Sequence, residues 1–250
     1  MIERLVRRGR DADVIEFGYG PLAPGEVERP SAEDETLAVI LGGAVTATLD
    51  GRPLGSVGTR SDPFEAPGHA VYAPPGTSLE LTADGGEAVV VICAAPAGPD
   101  APGAGRIITP EDQRIAEPGR DNFTRTVRTI LGPEDRASRL LAGETLNPPG
   151  AWSSYPPHKH DTHRPPDEVR LEEVYLFRLD PPGGFGVQML YDDRDSERAF
   201  VVHDGDFAVI PSGYHPVVAA PGYRLYYFWV MAGEGRRMAP WFDPDHAWVQ

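Results

Sequence analysis

Cysteine and basic residues are both scarce in this chain of 250 residues. The single cysteine, Cys93, excludes a disulfide framework and a zinc site built from cysteine thiolates. Lysine and arginine number 23 against 38 aspartate and glutamate residues, which gives a formal net charge of −15. Because binding to a phosphate backbone needs clustered cations, nucleic acid is not expected as a partner.

Long hydrophobic runs are also missing. The longest, residues 88–95, is far shorter than the roughly 20 residues that a helix needs to cross a bilayer. The first residues, MIERLVRRGRD, are charged and lack the apolar centre of a secretory signal. We therefore expect a cytoplasmic protein without a membrane partner.

Glycine and proline, by contrast, are abundant, with 28 and 27 residues. In a helix interior each costs roughly 1 to 3 kcal/mol relative to alanine, so a helical bundle is not expected. Between turn-forming pairs lie short segments rich in valine, isoleucine, tyrosine and phenylalanine, which are typical of strands. They are residues 36–41, 45–49, 70–72, 88–93, 174–179, 186–191, 200–202, 207–210 and 224–231. Residues 134–141 offer a short helix candidate, and the chain is predicted to be all-β.

An internal repeat with an offset of 137 residues organises the chain. The segment GHAVYAPPG, which begins at Gly68, matches GDFAVIPSG, which begins at Gly205, in the spacing of glycine and proline. The match continues without a gap to Gly85 and Gly222, and apolar runs follow in both copies. Such a register predicts two copies of one β unit. We expect a first domain over residues 1–105 and a second over residues 106–250.

Histidines distinguish the second copy from the first. His158 and His160 are separated by one residue, so on a strand they project from the same face. Glu173 follows in the next predicted strand, and His215 follows the Pro-x-Gly turn, where the first copy has Ser78. Three imidazoles and a carboxylate form a ligand set for Zn²⁺, Mn²⁺, Fe²⁺ or Ni²⁺. The sequence thus predicts a metal site in the second copy and a structural role for the first.

These motifs resemble those of a known superfamily. The His-x-His pair, the downstream glutamate and Gly-x5-Pro-x-Gly-x-His are similar to the two motifs of the cupins, and the tandem repeat resembles a bicupin. The segments PPHKHD, LEEVYLF, GFGVQ, GDFAVIPSGYHPVVAAPGY, VMAGEGRR and DPDHAWV together resemble the 5-deoxy-glucuronate isomerases of myo-inositol catabolism. The resemblance implies tandem cupin β-barrels, of which the N-terminal copy is degenerate and the C-terminal copy binds metal. It also implies a divalent ion, Zn²⁺ or Mn²⁺ ahead of Fe²⁺ or Ni²⁺, with the ligands His158, His160, Glu173 and His215.

The implied substrate is a small sugar acid. The implied reaction converts 5-deoxy-D-glucuronate to 5-dehydro-2-deoxy-D-gluconate by a metal-assisted aldose–ketose isomerisation through an enediolate. Three alternatives stay open: a 5-keto-4-deoxyuronate isomerase of pectin degradation, a cupin non-haem iron dioxygenase, and a sugar-binding cupin without turnover. Because an exposed barrel edge often pairs with another, a homodimer is a further expectation.

Several polar side chains are candidates for catalysis and substrate binding. Glu172, a tyrosine or a metal-bound hydroxide is the candidate for the base that shuttles the proton. Gln188 lies in an otherwise apolar strand and needs hydrogen-bond partners if it is buried, which favours a place in the pocket. Gln188 is therefore expected to bind substrate, and Tyr175 and Tyr227 are further candidates for the same role.

A cation is also expected near the site, since an acidic protein has to attract an anionic sugar. Arg178, Arg224 and Lys159 are the candidates for holding the substrate carboxylate. Members of the resembled family usually carry an arginine after Gln188, where this chain has Met189. The residue that binds the carboxylate therefore stays open at this point.

Overall fold

In the computed structural model, which describes residues 1–192 and 196–249, almost all regular structure is β-strand. The chain divides into two compact units. Unit 1 contains Met1–Gln113 and Ile130–Leu141, and unit 2 contains Arg114–Thr129 and Ala142–Gln250. The all-β prediction is confirmed. None of the helices in the described ranges is long and apolar enough to cross a membrane.

Unit 1 is built from two antiparallel sheets. Its strands are β1 (Glu3–Val6), β2 (Glu16–Leu22), β3 (Val27–Glu28), β4 (Glu35–Gly42), β5 (Val45–Leu49), β6 (Arg52–Val57), β7 (Ala70–Ala73), β8 (Leu79–Ala83), β9 (Ala88–Ala95) and β10 (Arg106–Ile108). The first sheet has the order β1-β2-β9-β4-β7-β10, and the second has the order β3-β8-β5-β6. Side chains from both sheets, among them Leu22, Ile40, Leu81 and Ile92, share one hydrophobic core. A short 3-10 helix over Pro110–Asp112 follows.

The remaining strands form the sheets of unit 2. They are β11 (Arg114–Ala116), β12 (Thr126–Leu131), β13 (Leu141–Asn147), β14 (Trp152–Ser153), β15 (His158–Lys159), β16 (Leu171–Asp180), β17 (Gly186–Leu190), β18 (Arg198–Val202), β19 (Phe207–Ile210), β20 (Val217–Ala219), β21 (Arg224–Gly233) and β22 (Trp241–Phe242). The sheet orders are β11-β12-β13-β21-β16-β19, β14-β20-β17-β18 and β15-β22. Short 3-10 helices cover Asp121–Phe123 and Pro244–Val249.

The two units repeat one arrangement of strands. The order β2-β9-β4-β7 in unit 1 corresponds to β13-β21-β16-β19 in unit 2, and β3-β8-β5-β6 corresponds to β14-β20-β17-β18. The register agrees as well. Glu173 pairs with Met231 in unit 2 as Thr36 pairs with Ala94 in unit 1, so both partners keep the offset of 137 residues.

Small and aliphatic residues of unit 1 stand where unit 2 has polar and aromatic ones. The cross-strand pair Tyr175 and Trp229 corresponds to Ala38 and Ile92, both fully or nearly fully buried in the unit 1 core. Among the described residues, the cluster of side chains close enough to share a metal ion lies in unit 2. The first copy has therefore kept the strand arrangement and filled the corresponding space with hydrophobic packing.

The segment before β13 departs from the sequence-based expectation. Residues 134–141 form turns and the start of β13, so the helix candidate is wrong. The buried Glu35 carboxylate accepts hydrogen bonds from the main-chain N–H groups of Ser138, Arg139 and Leu140. These hydrogen bonds hold the segment in a non-helical conformation. Unit 1 contains Ile130–Leu141 and extends to Gln113, whereas the sequence-based expectation placed everything after residue 105 in the second domain.

Candidate metal centre

A cavity of about 120 Å³ opens on one face of the β21–β16 sheet of unit 2. Alternate residues of these two strands line it, since successive side chains of a strand point to opposite faces. They are Leu171, Glu173, Tyr175, Tyr227, Trp229 and Met231. Because one buried water needs only roughly 10 to 15 Å³ of such space, the cavity is large enough for more than a single water.

His215 is fully buried beside the cavity wall and follows a turn that needs glycine. Gly213 has a φ of 90°, a conformation that favours glycine because it lacks a Cβ atom. Its N–H donates to the Asp161 carboxylate at 2.9 Å, and Asp161 also accepts from Lys159 Nζ at 2.6 Å. Asp161 therefore ties the segment that carries His160 to the turn that carries His215.

His160 and Glu173 of the cavity wall form a buried cluster with His215 behind them, and the ligand atoms of the three residues all lie within 4.8 Å of one another. Glu173 Oε2 is 3.1 Å from His160 Nε2 and 3.3 Å from His215 Nε2. Two imidazole nitrogens and a carboxylate oxygen thus converge on one point. This donor set suits a divalent metal ion.

Main-chain carbonyls fix which ring nitrogen faces the cluster. Nδ1 of His160 lies 2.8 Å from the Leu171 carbonyl oxygen, and Nδ1 of His215 lies 2.9 Å from that of Gly213. Each Nδ1–H donates to its carbonyl, so Nε2 of each ring faces Glu173; Nε2 of His160 hydrogen-bonds to that carboxylate when the ring is protonated, and Nε2 of a neutral ring carries a lone pair. The buried His215 Nε2 has no hydrogen-bond partner among the described residues. An orphaned lone pair facing a carboxylate fits a cation bound between them.

Burial and the close charges shift the pKa values of the cluster. Burial alone disfavours charge on His160, but its hydrogen bond to Glu173 and the charge of that carboxylate leave the pKa of His160 raised above 6.5. Burial also opposes charge on Glu173, yet the imidazoles of His160 and His215 lower the pKa of Glu173 to about 2. Without a metal ion, the pairing therefore favours a proton on His160 and keeps Glu173 ionised.

His158 lines the same cavity but lies outside the tight cluster. Its ring centroid is 5.0 Å from that of His215 and 6.4 Å from that of His160. Its Nδ1 faces the Pro156 carbonyl oxygen at 3.3 Å. Burial first, then repulsion from the other two imidazoles, lowers the pKa of His158 to about 3, so this ring is neutral and able to coordinate. Three of the four predicted ligands are thus brought together, and the fourth adjoins them.

Two predicted substrate ligands, Tyr175 and Tyr227, also line the cavity. Their ring centroids are 4.5 Å apart. The Tyr175 hydroxyl hydrogen-bonds to Ser154 Oγ at 2.9 Å, and the Tyr227 hydroxyl hydrogen-bonds to Ser153 Oγ. Burial raises the pKa of both phenols, so both keep their protons at neutral pH. The cavity therefore presents fixed O–H groups beside Glu173.

Gln188 supports His215 from behind. Its side-chain nitrogen donates to the carbonyl oxygens of His215 at 2.9 Å, of Met189 at 2.8 Å and of Pro216 at 3.3 Å. It is buried but does not line the cavity, so the expected contact with substrate is replaced by a contact with a ligand residue. Met189, at the position where members of the resembled family usually carry an arginine, lines a separate groove of unit 2 and not the cavity.

The other predicted residues lie elsewhere. Glu172 is buried opposite Ala232, on the face of β16 that points away from the cavity, which corrects its tentative catalytic role. The three predicted cations already have acidic partners outside the cavity. They are Arg178 with Asp204, Arg224 with Asp180, and Lys159 with Asp161. The expectation that one of them holds a substrate carboxylate is corrected accordingly.

Arg125 is a cavity residue that the sequence reasoning missed. It belongs to the segment DNFTRTVRTIL, which lies outside the repeated motifs and far from the histidines. Arg125 and Val127 are two residues apart and so share one strand face. This alternation would have identified Arg125 as a cavity residue once β12 was known to border the site.

The sequence as a whole matches a known family. A family model described as KduI/IolB matches residues 6–249. A 5-deoxy-glucuronate isomerase from Bacillus licheniformis is 38% identical over 253 residues, covering 100% of this chain and 92% of the relative. One from Geobacillus kaustophilus is 40% identical over 240 residues, covering 95% and 86%.

Solved structures agree with this match. An IolB-like protein from Salmonella typhimurium has a TM-score of 0.89 at 30% identity, covering 100% of this chain and 98% of that chain. Oxalate decarboxylase from Lactobacillus farciminis has a TM-score of 0.66 at 12% identity, covering 92% and 79%. The likeness to the decarboxylase shows the cupin fold alone.

Proposed function

The chain belongs to the KduI/IolB family, and on that premise we propose that it isomerises 5-deoxy-D-glucuronate to 5-dehydro-2-deoxy-D-gluconate. The observation that carries the proposal is the buried cluster of His160, Glu173 and His215, of which His160 and Glu173 line a cavity. The reaction moves a carbonyl group from C1 to C2. It removes the C2 proton, passes through an enediolate and returns a proton to C1.

We propose that the site holds a divalent metal ion with His158, His160, Glu173 and His215 as its protein ligands. Zn²⁺ and Mn²⁺ fit three imidazoles and one carboxylate, and Fe²⁺ and Ni²⁺ accept the same set. When bound, such an ion polarises the substrate carbonyl and stabilises the enediolate as a Lewis acid. The carbonyls of Leu171 and Gly213 keep the Nε2 atoms of His160 and His215 in the orientation that this requires.

The tyrosines supply the hydrogen-bond donors. Because Tyr175 stays protonated and its hydroxyl is held by Ser154, it can donate to a substrate oxygen on which negative charge develops. Tyr227, held by Ser153, orients a second oxygen. Such donors, fixed before the reaction and shielded from water, lower the barrier without reorganising during it.

The proposal is tested by incubating metal-defined protein with 5-deoxy-D-glucuronate in D₂O and following the sugar by NMR. Formation of 5-dehydro-2-deoxy-D-gluconate, lost in His160→Ala and His215→Ala, would support it. The alternative substrate 5-keto-4-deoxyuronate is run beside it. Faster conversion of that compound, or consumption of oxygen with an iron-loaded protein, would contradict the proposal.

A further inference from the structure

Arg125 is the one lysine or arginine among the described residues that line the metal cavity. It directly precedes β12, and Val127, two residues further on, lines the cavity too. Because alternate residues of a strand share a face, the local backbone aims Arg125 at the cavity. A positive charge is therefore built into a site whose other ionisable cavity residues are imidazoles, phenols and one carboxylate.

The guanidinium is held at one end and open at the other. Its Nη1 donates to the carbonyl oxygens of Phe123 at 3.1 Å and of Tyr155 at 3.3 Å. Within the described ranges, Nε and Nη2 make no hydrogen bond. A planar guanidinium can present such a free edge to both oxygens of a carboxylate at once.

Arg125 also lacks an acidic partner in the described part of the chain, unlike the cations that the sequence favoured. Arg178 pairs with Asp204 at 2.8 Å, and Lys159 pairs with Asp161 at 2.6 Å. In a chain of net charge −15, a half-buried arginine without a carboxylate is unusual. Burial lowers the pKa of Arg125, which shows that its surroundings penalise the charge. An anionic ligand would remove that penalty.

We propose that Arg125 is the receptor for the carboxylate of the sugar acid, an assignment that rests on the proposed function of the same cavity. The acid end of the substrate binds the free edge of the guanidinium, while the end that reacts faces His160, Glu173 and His215. Arg125 then explains how an acidic protein selects an anionic sugar: the selection is made by one cation inside the cavity. It makes Arg125 the residue that distinguishes a sugar acid from a neutral sugar of the same size.

The test measures binding apart from turnover. Two ligands are compared by calorimetry on zinc-loaded protein. The first is the aldonic acid made by reducing the C1 aldehyde of 5-deoxy-D-glucuronate to an alcohol, and the second is the neutral C6 amide of that acid. Neither can isomerise. Because a hydrogen-bonded charged group contributes roughly 1.5 to 3 kcal/mol, we expect the wild-type protein to bind the acid about 10- to 100-fold more tightly than the amide. Arg125→Gln should lose this preference and leave the affinity for the amide within about threefold of wild type.

The matched control is Arg178→Gln, which removes a cation that lies outside the cavity, and its preference for the acid should equal that of the wild type. Zinc content is measured in each variant to show that the metal ligands are intact. If Arg125→Gln does not fold, Arg125→Lys is compared instead; a reduced preference supports the assignment and an unchanged one contradicts it. A wild-type protein without preference, or Arg125→Gln with full preference, overturns it. If the preference depends on Arg125 but no isomerised product forms from the aldehyde, the carboxylate receptor stands and the proposed reaction fails.

Discussion

Gln188 donates its side-chain amide to the main-chain carbonyl of His215 at 2.9 Å, across 27 residues of sequence. This contact holds the backbone of His215, a proposed metal ligand, through a residue that does not line the cavity. Partners of this kind orient a metal ligand without touching the metal ion. We therefore predict that Gln188 is a positioning residue for the proposed metal centre.

Replacing Gln188 by leucine keeps the volume and removes the donor. The carbonyl of His215 then loses a buried partner, and we expect zinc affinity to fall by about 10- to 100-fold. The affinity is measured by competition with a chelator of known strength. Met189→Leu, one residue further on and facing a separate groove, should leave the affinity unchanged. Equal affinities for the two variants would show that Gln188 does not position His215.

The proposed ligands are tested by removing them singly. His160→Ala and His215→Ala each delete one of the converging nitrogens, and we expect zinc affinity to fall by at least about 100-fold. His158→Ala should also weaken binding, by about 10-fold or more, if the fourth ligand comes from the adjoining ring. The exposed His203 is the control, and His203→Ala should bind zinc as the wild type does. Unchanged binding in His158→Ala would reduce the protein ligands to three.

The pKa shifts predict how metal binding depends on pH. In the metal-free protein the pKa of His160 is raised above 6.5, so its pairing with Glu173 stabilises the fold below pH 6.5 and that contribution is lost as the pH rises through the raised pKa. The pKa of Glu173 is lowered from 4.5 to about 2, so its contribution is present above pH 4.5 and is lost as the pH falls through about 2. Below the raised pKa of His160 a metal ion must displace a proton from that ring.

The rise in Tm on adding Zn²⁺ should therefore increase with pH. Thermal unfolding with and without the ion, from about pH 5 to about pH 8, measures it, because histidine titrates in this range. His203→Ala should reproduce the wild-type profile. A rise in Tm that is the same across the whole range would mean that His160 gives up no proton when the ion binds.

The sequence was sufficient for those features that depend on local pattern. The spacing of glycine and proline identified the repeat, because both copies need the same turn, and Gly76 and Gly213 indeed have φ angles of 87° and 90°. Strand alternation allows only one of the neighbours Glu172 and Glu173 to face the cavity, and it is Glu173, so the candidate base Glu172 could have been excluded by the same pattern. Strand alternation and the residue preferences of turns depend on neighbouring residues alone, so they can be recognised without a structure.

Residues whose role depends on long-range pairing could not be found in this way. Arg125 reaches the cavity because β12 joins β13 and then β21 in one sheet, an order that no local pattern encodes. The three cations that the sequence favoured were neutralised by Asp161, Asp180 and Asp204, partners that are visible only in three dimensions. The local sequence of residues 134–141 favours a helix. The hydrogen bonds that their N–H groups donate to Glu35 prevent it, and Glu35 lies about 100 residues away in sequence, so no local pattern could reveal this.

Tyr175 is predicted to act in the reaction and not in metal binding. Tyr175→Phe removes a hydroxyl that stays protonated and is aimed into the cavity by Ser154, and we expect kcat to fall by about 100-fold. Zinc content should remain that of the wild type. Tyr191→Phe is the matched control, since its hydroxyl donates to Asp243 at 2.8 Å outside the metal cavity. A wild-type kcat in Tyr175→Phe would remove this hydroxyl from the mechanism.

Glu35 is predicted to be the most sensitive polar position of unit 1. Its carboxylate accepts from the main-chain N–H groups of Ser138, Arg139 and Leu140 and from the Tyr72 hydroxyl, while its side chain is fully buried. A glutamine in its place keeps one acceptor oxygen and turns the other into an NH₂ group that faces an N–H donor. Because each buried group left without a partner costs roughly 1 to 3 kcal/mol, we expect Glu35→Gln to lower the free energy of unfolding by about 2 to 4 kcal/mol.

Urea unfolding followed by circular dichroism measures this loss. The control is Glu33→Gln, which changes an exposed carboxylate two residues earlier, and its free energy of unfolding should stay within about 0.5 kcal/mol of the wild-type value. Zinc affinity is measured on the folded fraction of both variants. Since the ligands of the proposed metal centre all belong to unit 2, Glu35→Gln should destabilise the protein and leave that affinity near the wild-type value. Equal stabilities of the two variants would mean that the N–H groups of residues 138–140 find other acceptors, and that Glu35 is not what keeps this segment in unit 1.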